Sequence, residues 1–282
     1  MKIIITLMFM VLGQGSFAQQ QDNYLDDVAV LVTSCDKYEE VWHPFFFMLE
    51  KNWPELTNKK YLISNKKTYH HPGVIPVQIP NEKSWADNML EALNQIEENY
   101  VMVFIEDYMM AEKVNHKKVK EYYDLMRKEN AAYLKLQPNG YERVHPNNPG
   151  VAYMGQTQEH RTALQLAIWR KDVLIKLLEK GENPWQFELD GNERSFEIKD
   201  PFMVVTQTVA PYMGVIEKGY WWQKGLDFLK KEGIKIDPKL PVAEKTHRVY
   251  FKKFRYWVHD HITGPLKRLF GIEKFKILPT SW

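Results

Sequence analysis

Short apolar runs alternate with amphipathic stretches along most of the chain. Four runs have the length and the β-branched or aromatic content of buried strands: residues 28–32, 60–63, 74–79 and 100–105. Helical periodicity separates or follows them, over residues 38–51, 84–98 and 116–128. This alternation predicts an α/β fold, in which a mostly parallel sheet is flanked by helices. Ligands of such sheets bind beyond the carboxyl ends of the strands, so the residues that follow each strand are the first candidates for function.

The second half of the chain has a less regular pattern. Residues 137–159 are rich in Pro, Asn and Gly without a period, which predicts a long loop that is either a functional lid or disordered. The remaining strand candidates are residues 131–136, 202–206 and 213–216, the helix candidates are 171–179 and 223–231, and residues 162–169 fit either. We expect one domain over residues 22–235. An aromatic and basic C-terminal extension over residues 236–282 is expected to be helical and to pack on it.

The first eighteen residues resemble a secretory signal peptide. Lys2 precedes an apolar run from Ile3 to Gly13, and small residues lead to a candidate cleavage site after Ala18. This run is too short to span a bilayer as a mature helix. An upstream start codon or an apolar tail that is never cleaved is the alternative. The leader favours an exported protein.

Composition narrows the class of protein. Apolar residues make up 44% of the 282 positions, which is enough for a sizeable core and argues against disorder. The formal charge of +2 gives no reason to expect a nucleic-acid binder, because such proteins normally carry a large basic excess. The single cysteine, Cys35, rules out an intramolecular disulfide and a cysteine-rich zinc site.

Two adjacent carboxylates, Glu106 and Asp107, follow the strand at residues 100–105. Mg²⁺ and Mn²⁺ prefer oxygen ligands and are commonly held by one or two carboxylates together with substrate phosphates. Carboxylates delivered to the ligand-facing edge of a sheet therefore suit a divalent ion bound to a diphosphate. An acidic pair that merely ends the strand is the alternative reading.

The chain resembles GT-A glycosyltransferases, especially sugar transferases of bacterial surface-polysaccharide clusters. The resemblance covers residues 28–233 and rests on five segments: 30–38, 84–87, 104–108, 167–169 and 184–188. It implies a GT-A-like fold and a nucleotide-sugar donor whose diphosphate is bound through a divalent metal, Mn²⁺ or Mg²⁺. Glu106 and Asp107 match the acidic motif that holds this metal, but Tyr108 stands where a further acidic residue is usual. The motif is thus degenerate, which puts metal dependence in question.

The resemblance also implies a donor site. Thr33, Ser34 and Asp36 match the end of the first strand, which touches the nucleotide, and they supply suitable hydrogen-bonding groups. A cap and turn before the next helix explains them equally well. Ser84 and Asp87, at the start of the helix before the acidic strand, match a donor-contacting segment, and capping is the simpler reading of Ser84.

An acidic residue in the acceptor half is the expected base of an inverting GT-A enzyme. Glu188 is the candidate, and Asp190, two residues later, is its replacement. Trp185 and Phe187 lie just before Glu188 in the same segment, and their flat rings are candidates for stacking on an acceptor sugar. Alternatively, Glu188 is a surface carboxylate beside two core aromatics.

Two functions follow from these expectations. The first is an enzyme that moves a sugar from a nucleotide sugar to a glycan or lipid-linked acceptor in cell-surface polysaccharide synthesis, which favours the cytoplasm because nucleotide sugars are made there. The second is a GT-A-like glycan- or nucleotide-binding protein without turnover, favoured by the degenerate motif and the leader.

Residues 252–257, with Lys267 and Arg268, suggest either peripheral contact with an anionic membrane surface or a solvated basic face.

Overall fold

The computed structural model describes residue 25 and residues 27–243. Their strands are β1 Val28–Thr33, β2 Lys60–Ser64, β3 Val74–Gln78, β4 Tyr100–Ile105, β5 Tyr108–Met110, β6 Tyr133–Lys135, β7 Arg143–His145, β8 Asn148–Tyr153, β9 Ala167–Arg170, β10 Phe202–Val205, β11 Tyr212–Gly214, β12 Ile216–Glu217, β13 Tyr220–Trp222 and β14 Val242–Ala243. Their α-helices are α1 Glu39–Asn52, α2 Trp85–Gln95, α3 His116–Lys128, α4 Lys171–Leu177, α5 Pro184–Gln186, α6 Asn192–Ser195 and α7 Gln223–Lys231.

Nine of these strands form one central sheet, in the order β3-β2-β1-β4-β9-β6-β10-β8-β7. β1, β2, β3 and β4 pair in parallel, as do β6 and β10. β9 is antiparallel to both β4 and β6, and β8 is antiparallel to β10 and β7, so β8 and β9 run against the other seven strands. The predicted α/β class, with a mostly parallel sheet flanked by helices, is confirmed.

Two apolar cores lie on the opposite faces of the sheet. Alternate residues of β1 divide between them: Val30 belongs to the core under α1 and α3, and Leu31 to the core under α2 and α4. The side chains of β4 divide in the same way, with Phe104 on the first face and Val103 on the second. Both strands are therefore sealed on both faces, which is why their sequences are continuous apolar runs.

The expectation of a lid or disordered loop over residues 137–159 is wrong. This stretch contains the antiparallel pair β7 and β8, and β8 extends the central sheet through β10. Val151 and Ala152 are fully buried there. The Pro and Asn residues that suggested a loop belong partly to the turn between Val144 and Asn148, where the pairing also shifts register. A hairpin this short has too few residues to reveal its alternation.

Residues near the end of the described chain are tied to the domain. β13 pairs with β12 and with β14 in a three-stranded sheet. The carboxylate of Glu40, in α1, accepts hydrogen bonds from the backbone N–H groups of Lys239 and Leu240 at 2.7 and 3.0 Å. The rest of the predicted extension, residues 244–282, and the leader-like residues 1–18 lie outside the described residues. Within residues 25 and 27–243, no helix is long and apolar enough to cross a membrane.

Candidate active site at the carboxyl ends of the strands

Glu106 and Asp107 lie directly after β4, in the centre of the sheet, and both are buried at 6% and 9% exposure. The backbone carbonyl of Asp107 accepts hydrogen bonds from Met109 and Val215, each at 3.1 Å, and its Oδ2 accepts one from the N–H of Ile216 at 3.3 Å. These bonds fix the turn between β4 and β5. The carboxylate pair is thus held at the carboxyl end of β4, and its role in binding a metal stays a prediction.

The environment of the pair disfavours two negative charges. Burial raises the pKa of Glu106 to about 8, and the neighbouring Asp107 carboxylate adds to this rise. Burial also raises the pKa of Asp107 to about 6, although the hydrogen bond from Ile216 opposes it. Among the described residues, no lysine, arginine or histidine nitrogen lies within 4.0 Å of either carboxylate. A cation supplied with the substrate would therefore stabilise the ionised pair.

The donor set fits a divalent ion that also binds a substrate. Two buried carboxylates without a basic partner are suitable hard oxygen ligands. No group of three or more metal-binding side chains occurs among the described residues, so a metal here would need further oxygen ligands from phosphate or water. This arrangement suits an ion that arrives with a diphosphate better than a permanent structural metal.

The polar groups at the end of β1 are engaged by the protein itself. Thr33 Oγ1 accepts a hydrogen bond from the indole of Trp85 at 3.0 Å, and Ser34 Oγ accepts one from the indole of Trp42 at 2.7 Å. The Asp36 carboxylate accepts from the backbone N–H groups of residues 65–67, at 2.9–3.2 Å. These contacts join the end of β1 to α1, α2 and the loop after β2. The donor-binding role of the three residues stays a prediction.

Ser84 and Asp87 form a cap rather than a free polar pair. Ser84 Oγ accepts from the N–H of Asp87 at 3.1 Å and donates to Asp87 Oδ2 at 2.6 Å. The N–H of Gly181 donates to both side chains, at 3.1 and 3.0 Å. The cap thus begins α2 and also attaches the loop after α4. A donor contact by Ser84 or Asp87 stays a prediction.

Glu188 sits in an irregular helical segment that covers the carboxyl end of β6. Asn183 caps the segment in a capping box with Gln186. A π-helical turn over Phe187–Gly191 follows, before α6. Within this turn, Glu188 Oε1 accepts a hydrogen bond from the backbone N–H of Leu164 at 2.7 Å. The carboxylate is therefore oriented by the backbone just before β9.

The aromatic neighbours of Glu188 have different environments. Phe187 is fully buried, with its ring against Trp85 and Trp169, so it offers no face to a sugar in this structure. Trp185 is 65% exposed and is free to stack on a ligand. Asp190 is exposed, without the backbone anchor that Glu188 has. Trp185 is thus the exposed aromatic residue of this segment, whereas Glu188 is half-buried.

Sequence reasoning missed two features of the site. Tyr108 and Tyr212 stack with ring centroids 4.2 Å apart, and burial raises the pKa of each phenol, with smaller contributions from the charges of Asp107 and Glu188. The tyrosine pair belongs to the two-stranded sheet of β5 and β11 and begins directly after Asp107. Lys135, the last residue of β6, is 1% exposed. The sequence did indicate Lys135, because this lysine interrupts the apolar run at residues 131–136.

No family model matches the chain, and no curated protein matches it. Among solved structures, the chain is similar to residues 1–349 of TarS from S. aureus, with 13% identity over 66% of this chain and 59% of that chain, and a TM-score of 0.46. TarS is also solved with UDP and with UDP-GlcNAc.

The chain is also similar to the mannosyltransferase PcManGT from Pyrobaculum calidifontis, in complex with GDP-Man and Mn²⁺, with 12% identity over 69% of this chain and 58% of that chain, and a TM-score of 0.43. A UDP-glucose pyrophosphorylase complexed with UDP-glucose gives 10% identity over 65% of this chain and 91% of that chain, and a TM-score of 0.41. The chain thus spans about three fifths of the TarS and PcManGT chains. Likeness at this level carries no argument about substrate or activity, which rest on the site.

Proposed function

We propose that the chain is a metal-dependent transferase that takes a sugar from a nucleotide sugar and passes it to a hydroxyl of a glycan or lipid-linked acceptor. The observation that carries this proposal is the buried pair Glu106 and Asp107 at the end of β4, without a cationic partner within 4.0 Å among the described residues. A divalent ion with a diphosphate supplies the missing charge and the missing ligands.

The donor would lie across the strand ends. Glu106 and Asp107 would hold a divalent ion, Mn²⁺ or Mg²⁺, and such an ion supplies neutralisation of the charge that develops on a leaving diphosphate. The Asp107 carboxylate is kept in place by Ile216, so it is preorganised for this task. The end of β1 would face the nucleotide with its backbone, because the side-chain oxygens of Thr33 and Ser34 already have partners.

The acceptor would bind on the side of Glu188. Its Oε1 is anchored by Leu164, which leaves Oε2 to accept a hydrogen bond from an acceptor hydroxyl. In an inverting reaction this oxygen takes the proton as the hydroxyl oxygen bonds to the anomeric carbon and the diphosphate leaves. Trp185, exposed three residues before Glu188, supplies a flat face for the acceptor ring. Participation in surface-polysaccharide synthesis is the biological setting we propose for this reaction.

A titration of the full chain tests the donor half of the proposal. Calorimetry with UDP, GDP, CDP and dTDP, each with and without Mn²⁺, should show one nucleotide that binds more tightly with the metal. Asp107→Asn should abolish the effect of the metal, whereas Asp190→Asn, at an exposed position of the neighbouring segment, should keep it. Folded protein that binds none of the four nucleotides would overturn the proposal.

A binding protein without turnover is the second candidate. The observation that favours it is that Thr33, Ser34 and Asp36 all use their side-chain oxygens within the protein, which leaves fewer groups for a nucleotide. The titration and one kinetic assay together distinguish the transferase from the binding protein. Nucleotide-sugar binding with no release of free sugar or nucleotide over hours, in the presence of glycan acceptors, would favour the binding protein.

A further inference from the structure

Lys135 occupies a buried position close to the carboxyl edge of the sheet. In the register of the sheet it lies opposite Ala167 of β9, which itself lies opposite Val103 of β4. Lys135 is therefore level with a residue three positions before Glu106. The side chain follows Tyr133 on the face of the sheet that α2, α4 and the π-helical turn cover, since residues two apart in a strand share a face.

The ammonium group of Lys135 has no hydrogen-bond acceptor among the described residues, although the residue is only 1% exposed. An ammonium group has three donors and is costly to bury without partners. The other buried lysine of the sheet, Lys60, is different, because its Nζ donates to the carbonyl of Asn58 at 3.2 Å. Lys135 Nζ is thus a donor without a partner in the described part of the chain, and it stays accessible to a small ligand.

The carboxylate of Glu188 acts on the pKa of Lys135. Burial lowers the pKa of Lys135 to about 8, and the Glu188 carboxylate opposes this fall. The two groups are not a direct ion pair, since no Glu188 oxygen lies within 4.0 Å of Nζ. Glu188 Oε1 is held by Leu164, and Oε2 accepts no hydrogen bond from the described residues. Leu136, the residue after Lys135, donates its backbone N–H to the carbonyl of Leu166, two residues after the Leu164 that holds Glu188, so both side chains lie by the carboxyl end of β6. The Lys135 ammonium and Glu188 Oε2 each have a hydrogen-bonding position that no described residue uses.

A neutral hydroxyl group satisfies both groups at once, because it accepts one hydrogen bond and donates another. An anionic group would suit the ammonium but would be repelled by the carboxylate. We propose that Lys135 is a substrate-binding residue of this site, and that its ammonium group and the Glu188 carboxylate together bind one neutral sugar hydroxyl. The inference rests on the proposed function, since it assigns the sugar subsite of the same transferase.

The dimensions of the sheet agree with this assignment. β6 lies two strands from β4, a separation of about 10 Å at the spacing of hydrogen-bonded strands. A sugar joined to a diphosphate at Glu106 and Asp107 extends across part of this distance, and an acceptor sugar covers the rest. The hydroxyl could therefore belong to the donor sugar or to the acceptor, and the two sources predict different effects on binding and on turnover.

The first experiment needs no ligand. Lys135→Met removes the ammonium and keeps a similar length of apolar side chain, so we expect the unfolding midpoint of the full chain to hold or rise, because no hydrogen bond between described residues is lost. Lys60→Met is the matched control. It removes a hydrogen bond to the Asn58 carbonyl, so its midpoint should fall or stay unchanged. A lower midpoint for Lys135→Met would mean that Lys135 has a structural role, and the inference would be overturned.

The second experiment compares the nucleotide sugars UDP-GlcNAc, UDP-glucose and GDP-mannose with UDP and GDP by calorimetry in Mn²⁺. If the hydroxyl belongs to the donor sugar, Lys135→Met should bind the preferred nucleotide sugar about tenfold more weakly than wild type does. Its affinity for UDP and GDP should stay unchanged. If it belongs to the acceptor, donor affinity should hold and the rate of sugar transfer, or of hydrolysis by water, should fall about tenfold or more.

The outcomes separate the two proposals. Unchanged donor affinity together with an unchanged rate in Lys135→Met overturns the inference and leaves the transferase intact. Wild-type protein that binds no nucleotide overturns the proposed function. The unfolding experiment then still decides whether Lys135 is a stabilising residue or an unused polar group of another site.

Discussion

The carboxylate of Asp107 accepts a hydrogen bond from the backbone N–H of Ile216, with 3.3 Å between Oδ2 and the nitrogen. This contact ties the end of β4 to the start of β12. The same residue thus has a structural contact through one atom and, in the proposed enzyme, a ligand role through its charge. Substitutions that keep the hydrogen bond and remove the charge can distinguish the structural role of Asp107 from its role as a metal ligand.

Asp107→Asn should keep the hydrogen bond from Ile216 and lose the charge. We expect the unfolding midpoint to hold or rise, since burial disfavours the charge that is removed, and the metal-dependent part of nucleotide affinity to fall about tenfold or more. Asp107→Ala loses both contributions, so it should also unfold at a lower temperature. Calorimetry and thermal unfolding of the two variants check this. Metal-dependent binding that survives in both variants would show that Asp107 is not a metal ligand.

The stability of the metal-free chain should fall as the pH rises from about 5 to 8. Burial keeps the Glu106 carboxyl protonated up to its pKa of about 8, whereas in the unfolded chain it ionises near its ordinary pKa of about 4.3. Between these values the folded state binds more protons, so the free energy of unfolding decreases with pH. Burial raises the pKa of Asp107 to about 6, so this residue also makes the free energy of unfolding decrease with pH, over the lower part of this range.

Denaturant unfolding at pH 5 and pH 8, without divalent ions, checks this dependence. Glu106→Gln cannot ionise, so it should lose less stability than wild type between the two values. Glu193→Gln, at an exposed position, should behave like wild type. An equal loss in Glu106→Gln and wild type would contradict the raised pKa.

Ser84→Ala should destabilise the fold without weakening nucleotide binding. Both hydrogen-bonding functions of Ser84 are used within the cap of α2 and the loop at Gly181. Loss of such a cap costs about 1 kcal/mol, or roughly 2–4 °C in the midpoint of a chain of this size. Ser84→Thr keeps the hydroxyl and should recover most of the loss. A fall in nucleotide affinity at unchanged stability would instead assign Ser84 to the donor site.

The two aromatics beside Glu188 should respond in opposite ways. Phe187→Ala empties a fully buried position and should cost about 3–5 kcal/mol of stability. Trp185→Ala removes a side chain that is 65% exposed, so stability should change by less than about 0.5 kcal/mol. If Trp185 stacks on the acceptor, its removal should raise the KM for the acceptor. An unchanged KM would remove Trp185 from the acceptor site.

The strand-end location of the site was predictable, and much of its internal bonding was not. Glu106 and Asp107 follow an apolar strand whose period and length are visible in the sequence, so their position at the sheet edge follows from the α/β pattern. The partners of Thr33 and Ser34 were not visible, because Trp85 and Trp42 reach them from two different helices. Such contacts depend on tertiary packing and leave no local period.

Short elements and buried charges account for the remaining differences. β7 has three residues, which is too few for an alternation to appear among the Pro, Asn and Gly of its surroundings. Lys135 was overlooked inside a strand that was otherwise located correctly, since the apolar run dominates its pattern. It lies on a face of the sheet that is covered by elements distant in sequence, so its burial could not be read from the strand itself.

The π-helical turn over Phe187–Gly191 makes this segment sensitive to its length. A π turn accommodates one residue more than an α turn, and in an α-helix each residue adds about 100° of rotation. Deleting Leu189, which is 68% exposed, would therefore rotate Phe187 relative to Ser195 although neither residue is changed. Phe187 would leave its pocket or Glu188 would leave its anchor. Exposed residues here should tolerate substitution far better than deletion, so the number of residues in the turn is itself part of the site.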